Sequence, residues 1–213
     1  WFIFSFPYYV FALIYAFWVA PKIRTSGNIS IPDNFRKLYG ERAGIISALI
    51  LSFLASPAPY ILGMGFVIQF MFGLELGLAL LISTVFSAVY VWNGGFRAVV
   101  RTDLIQFVLM FLGFFILLGY LWSEIQSPIL MLRNLPNKYL DPLGGNTLQY
   151  ILAWFFLAAW TFIDPGFFQR CAAAKTPETA RTGILISIFF WAIFDCTTIT
   201  CALYAVGTIQ QEQ

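Results

Sequence analysis

Long apolar runs separated by short polar joints dominate the chain. Six of them fall at 1–20, 44–73, 74–93, 103–122, 148–170 and 182–206. An apolar helix of about 20 residues rises far enough to cross a hydrocarbon core of about 30 Å. In lipid a segment must satisfy its own backbone polar groups, so each run is predicted to be a membrane-spanning α-helix. The joints carry turn chemistry. Gly73 separates the second and third runs, Asn93-Gly94-Gly95 closes the third, and Pro142, Gly144 and Gly145 precede the fifth.

Two joints predict structure of their own. Ser30-Ile31-Pro32-Asp33 starts a short amphipathic helix, with proline near its first turn and Arg36 and Lys37 beyond. It is expected on the membrane surface as a connector. The segment 123–147 holds Pro128, Pro136 and Pro142 and is expected to be irregular.

Composition acts mainly by exclusion. Of the 213 residues 60% are hydrophobic, 19% aromatic and 10% charged, whereas soluble domains carry about 25% charged residues. The chain reads as an all-α integral membrane protein, a single transmembrane domain whose main surroundings are the lipid bilayer. A net charge of +2, with the basic residues confined to short loops, gives no case for nucleic acid. Absence of histidine removes the usual metal ligand and general base. Cys171, Cys196 and Cys201 lack metal-ligand spacing and read as small buried residues, with neither disulfide nor zinc implied. No nucleophile–base pair stands out, so neither an enzyme nor a covalent or redox cofactor is expected.

Charge placement sets direction. Lys22, Arg24, Arg36, Lys37, Arg42, Arg97, Arg101, Arg170, Lys175 and Arg181 fall on one side, and only Arg133 and Lys138 on the other. The positive-inside rule makes the loops 21–43, 94–102 and 171–181 cytoplasmic and both ends extracytoplasmic. A bacterial inner (plasma) membrane is the expected location. The chain opens at Trp1 within one apolar run and stops at Gln213 just after another, which reads as a segment of a longer protein. The opening run has no charged leader and no small-residue cleavage site, so it reads as a span rather than a signal peptide.

Candidate chemistry lies where polar residues interrupt apolar runs. Asp164-Pro165-Gly166 breaks the fifth run, and carboxylates and irregular backbone are costly in lipid. Such breaks mark binding sites in transporters, although a kinked structural helix would also contain them. Ser56-Pro57-Ala58-Pro59 interrupts the second run, as a kink or as carbonyls facing a cavity. Ser5, Pro7, Tyr8 and Tyr9 give the first run a polar stretch that also suits an aromatic belt. Asp103 begins the fourth run with Gln106 a turn on, and either caps that helix or handles ions. Asp195, followed by Thr197, Thr198 and Thr200, sits near the middle of the sixth run. It must pair, protonate or face water there, as a proton- or cation-linked group or a hydrogen-bonded structural acid.

Three segments in order resemble the sodium/solute symporter family. They are Gly27-Asn28-Ile29-Ser30-Ile31-Pro32-Asp33-Asn34-Phe35; Gly94-Gly95-Phe96-Arg97-Ala98-Val99-Val100-Arg101-Thr102-Asp103 with Gln106; and Asp164-Pro165 followed by Gln169-Arg170-Cys171-Ala172-Ala173-Ala174-Lys175. The resemblance implies two inverted five-helix repeats of the LeuT-like kind. The six spans here would be the second to seventh helices of that core, and most of the family's conserved sodium site would lie on helices outside this segment. It implies a sodium-exit role for Asp103, an aromatic gate near Trp160 with Thr161 beside it, and solute-lining positions near Ser5, Tyr8 and, more loosely, Ser56. At Asp164 many relatives carry a neutral residue, so this carboxylate is expected either to tune solute choice or to pair with Arg170.

The function implied is sodium-coupled symport of a small polar organic solute by alternating access, with Na+ as coupling ion and no covalent chemistry. The rival is a solute-sensing membrane core fused to a histidine kinase.

Overall fold

The computed structural model describes residues 2–124, 129, 131, 133, 135 and 137–211, and its opening span, Phe2–Ser26, mixes two kinds of helix. α-Helices Phe2–Ile14 and Ala20–Ser26 flank a π-helical turn, Tyr15–Val19. Pro21 accounts for the widened turn. It has no N–H to donate and its ring crowds the carbonyl four residues earlier. Gly27, at φ 72°, ends the rod in the left-handed conformation that glycine adopts without strain.

The expected short amphipathic helix is present as Ile31–Tyr39. Ser30 Oγ accepts from the Asp33 N–H at 3.4 Å, and Asp33 Oδ2 accepts from the Ser30 N–H at 2.9 Å, closing a capping box. The Ser30 hydroxyl also donates to Asp33, which holds that carboxyl below its ordinary range.

Five helical segments among the described residues are long and apolar enough to cross a membrane: Phe2–Ser26, Glu41–Phe72, Gly95–Glu124, Leu148–Ala172 and Pro177–Gly207. The third predicted run forms only the shorter apolar helix Leu76–Tyr90. The second span is interrupted where Ser56-Pro57 stands, with helix to Leu54 and again from Ala58. The predicted loop 94–102 is a correction. Gly95, at φ 56° and ψ −168°, is a kink inside the helical stretch from Leu76 to Glu124, and Phe96–Thr102 are helical. None of these seven residues is glycine or proline, so all can propagate a helix, and Gly95 alone supplies the bend. Asp103 is therefore inside a helix and does not cap one.

The described chain forms two compact units, Ser52–Phe111 and the combination of Trp1–Leu51 with Leu112–Gln213. In the smaller unit Gly65 lets two helices approach closely, since a Cβ there would lie 2.6 Å from Leu80 Cδ2. The Tyr90 hydroxyl bridges the Gly95 kink, bonding the Thr102 hydroxyl and donating to the Ala98 carbonyl at 3.3 Å.

The larger unit is centred on the opening span. Its core joins Ala12, Tyr15, Ala16, Ala20 and Ile23 to Ile31, Phe168, Cys171, Ala180 and Ile184. Ala12, Ala16 and Ala20 recur every fourth residue, and the latter two are wholly buried. Lipid supplies no hydrophobic drive between helices, so close packing over such small residues holds them together. All three cysteines are free. Cys171 and Cys201 are buried as expected, but Cys196 is exposed, because it sits a 100° turn of helix away from Asp195 and its partner. In the segment 123–147, Asp141 accepts from the Leu143 and Gly145 N–H groups at 2.9 and 2.7 Å, making a side-chain-built turn. Pro128 and Pro136 lie outside the described residues.

Candidate functional site

The fifth span is broken where its sequence predicted. α-Helix Leu148–Ala158 tightens into the 3₁₀ turn Ala159–Phe162, and a new helix, Pro165–Ala172, begins after Asp164. Asp164 is the N-cap in extended conformation: Oδ1 accepts from the Phe167 N–H at 2.8 Å and Oδ2 from Trp160 Nε1 at 3.3 Å. One carboxylate thus secures both sides of the break, with Pro165 pre-set for the first helical turn. A Cβ at Gly166 would come within 3.0 Å of Asp164 Oδ1 and 3.1 Å of Arg170 Nη1, so glycine leaves room for the cap.

Pairing of Asp164 with Arg170 is not what the structure contains. Arg170 Nη1 donates to the Gly166 carbonyl at 3.3 Å. Neither Asp164 nor Asp195 forms a salt bridge among the described residues. Trp160 is half-buried through its bond to Asp164, and Thr161 is buried with its hydroxyl donating back to the Ala158 carbonyl at 2.9 Å.

The break faces the irregular turn of the opening span. The Tyr15 ring lies 6.3 Å from that of Phe162 and 5.4 Å from that of Phe167, one on each side of Asp164. Phe11 meets Phe162 edge-on at 5.6 Å. Tyr15 is fully buried, and among the described residues its hydroxyl has no hydrogen-bond partner. An unpaired buried hydroxyl costs about 1–3 kcal/mol, which the fit of the ring must offset.

A second polar cluster joins the opening span to the sixth. The Tyr9 hydroxyl donates to Asp195 Oδ2, and Ser5 stands one turn earlier on the same helix. Thr197 and Thr198 bond back to the carbonyls of Ile193 and Asp195 at 2.9 and 3.1 Å, and Thr200 does the same to Cys196 at 2.7 Å. The threonines therefore serve their own helix, and the acid's side-chain partner is a tyrosine 186 positions away. Tyr8 turns elsewhere, against Phe4 at 6.2 Å. Sequence reasoning passed over Tyr15, which resembles an ordinary membrane aromatic, and read Tyr9 only as part of a polar stretch that also suits an aromatic belt. Only the spacing of Ser5 and Tyr9, four apart on one helical face, hinted at the pairing.

The remaining candidates belong to the smaller unit. Ser56 Oγ accepts from the Ala58 N–H at 3.3 Å, so it steadies the restart of the second span. Asp103 is half-buried within its helix and Gln106 is exposed on it.

A helical membrane protein whose fifth span is broken around a capped carboxylate has the build of a transporter. The family model for the sodium:solute symporter family matches residues 1–211, and the chain belongs to that family. Members are transporters, not enzymes. The sodium/pantothenate symporter of Haemophilus influenzae is 29% identical over 153 residues, covering 68% of this chain and 32% of that protein. Sodium/glucose cotransporter 1 of Ovis aries is 29% identical over 209 residues, covering 79% and 31%. High affinity choline transporter 1 of Homo sapiens is 24% identical over 198 residues, covering 89% and 33%. The chain thus spans about a third of the length of these relatives.

Proposed function

We propose that the protein containing this chain is a sodium-coupled symporter of a small polar solute, working by alternating access in a bacterial inner membrane. The observation that carries the reading is the preformed break at Ile163–Asp164, set against the opening span by Tyr15. A hinge already capped on both sides can change angle without exposing new backbone groups to lipid, the constraint that otherwise forbids mid-span irregularity. The spans would form part of an inverted-repeat core, with the solute beside Trp160, Thr161, Asp164, Ser5 and Tyr8. Ser56 would line the path more distantly, and sodium would leave past Asp103 and Gln106. Asp195, held by Tyr9, would fix the spacing of the two spans that flank the solute.

Sodium binding would favour one access state, and linkage would then favour solute binding in the same state. Each charge crossing the membrane contributes about 2.3 kcal/mol per 100 mV, ample to concentrate a solute. No observation favours the sensing alternative. The test is uptake by the full-length protein in vesicles, with and without a sodium gradient, over a panel of labelled carboxylates, sugars and amines that includes pantothenate, glucose and choline. Sodium-dependent accumulation of one of them is expected. If no solute accumulates and none stimulates sodium flux, the reading fails.

A further inference from the structure

The surface helix Ile31–Tyr39 is tied at both ends to apolar spans, by residues 27–30 after Ser26 and by Gly40 before Glu41. Chain connectivity therefore holds it at the depth where spans leave the membrane. On a 3.6-residue period Ile31, Phe35, Leu38 and Tyr39 share an arc of roughly 100°. Ile31 sits in the core of the larger unit, but further along the same stripe Leu38 is 73% exposed and Tyr39 72%. The stripe starts inside the protein and continues outside it.

Packing sets which face is left outward. A Cβ at Gly44 would lie 2.8 Å from Arg36 Cβ, so the polar edge of the helix rests directly on the second span. Arg36 is neutralised locally by Glu41 at 3.0 Å and Asp33 at 3.6 Å. Lys22, Lys37 and Arg42 are exposed, and none forms a salt bridge among the described residues. A ring–aliphatic stripe with the unneutralised cations Lys22 and Arg42 on the adjoining spans, fixed at the membrane boundary, complements an anionic lipid surface on both counts.

We propose that the helix Ile31–Tyr39 docks on the bilayer surface, with Phe35, Leu38 and Tyr39 among the acyl chains, Lys37 on the opposite face towards water, and Lys22 and Arg42 on anionic lipid headgroups. The docking does not depend on which solute is carried, or on whether one is. Through Ile31 it holds the core that packs around Phe168 and Cys171, just beyond the break.

The experiment uses the full-length protein in a background without Cys171, Cys196 and Cys201, spin-labelled at Leu38→Cys or Lys37→Cys. It is reconstituted in phosphatidylcholine vesicles with or without phosphatidylglycerol. The Leu38 label is expected to collide with oxygen severalfold more often than with an aqueous nickel complex, and the Lys37 label to show the reverse. Spin-labelled phosphatidylglycerol should associate with the protein in preference to spin-labelled phosphatidylcholine. Lys22→Gln and Arg42→Gln should each lower that preference by up to about fivefold. A Leu38 label shielded from both reagents would mean that protein covers the stripe, and one open to nickel would mean that water does. Either overturns the proposal. Lipid association indifferent to headgroup charge, or to the two glutamine variants, overturns the anionic headgroup assignment.

Discussion

Asp164 can be dissected because its two oxygens have separate partners. Oδ1 caps the helix Pro165–Ala172 through the Phe167 N–H, and Oδ2 holds the Trp160 indole N–H. Asparagine keeps one acceptor oxygen. It can preserve the cap, since asparagine and aspartate cap about equally well, but it cannot then also accept from Trp160, so about 0.5–1.5 kcal/mol is lost. Alanine loses both interactions. Its expected cost is about 1 kcal/mol for the cap and about 1 for the indole bond, so about 2 kcal/mol in all. That corresponds to roughly a thirtyfold shift in a folding or hinge equilibrium. The measurements are reversible unfolding in mixed micelles and sodium-driven uptake by the reconstituted full-length protein. Stability should fall in the order parent, asparagine, alanine. If the charge as well as the cap serves transport, asparagine should cut uptake well beyond its small loss of stability. An alanine variant as stable as the parent, or two variants equally destabilised, would refute the argument from capping.

Further outcomes are expected elsewhere. Tyr9→Phe and Asp195→Ala should each destabilise by about 0.6–1.7 kcal/mol and couple in a double-mutant cycle, and additivity within about 0.3 kcal/mol would dissolve the pair. Asp103→Asn should leave membrane abundance near that of the parent while weakening apparent sodium affinity in uptake assays. Unchanged sodium dependence would remove the exit role. Single cysteines at Thr25 and Lys175 should resist impermeant thiol reagents in intact cells while one at Asn137 labels, and the opposite pattern would reverse the membrane direction.

The start of the amphipathic helix was legible from Ser30-Ile31-Pro32-Asp33, because the partners that cap it are three positions apart and need no tertiary help. The same holds for the break at Asp164, where proline and glycine act on their own backbone. The Gly95 kink was misjudged as a loop because two glycines and two arginines look like a surface turn. In the structure helix resumes at once, and Tyr90 and Thr102 brace the bend from either side. The pairing of Asp164 with Arg170 failed for a comparable reason: nearness along the chain suggested a partner, but the two carboxylate oxygens bind the Phe167 N–H and the Trp160 indole instead.

By itself, then, the sequence determined what depends on composition and on neighbours a few residues apart. That covers the membrane class, five of the six predicted spans, the short amphipathic helix and the place where the fifth span breaks. Which irregularities meet was decided only by tertiary structure. The π-helical turn meets the break because Ala12, Ala16 and Ala20 let the opening span approach closely enough for Tyr15 to reach both Phe162 and Phe167. Asp195 finds Tyr9 across 186 positions for the same reason, a contact that no local pattern encodes. Periodicity is a property of one helix, whereas the partner of a buried polar group depends on how closely two helices can pack.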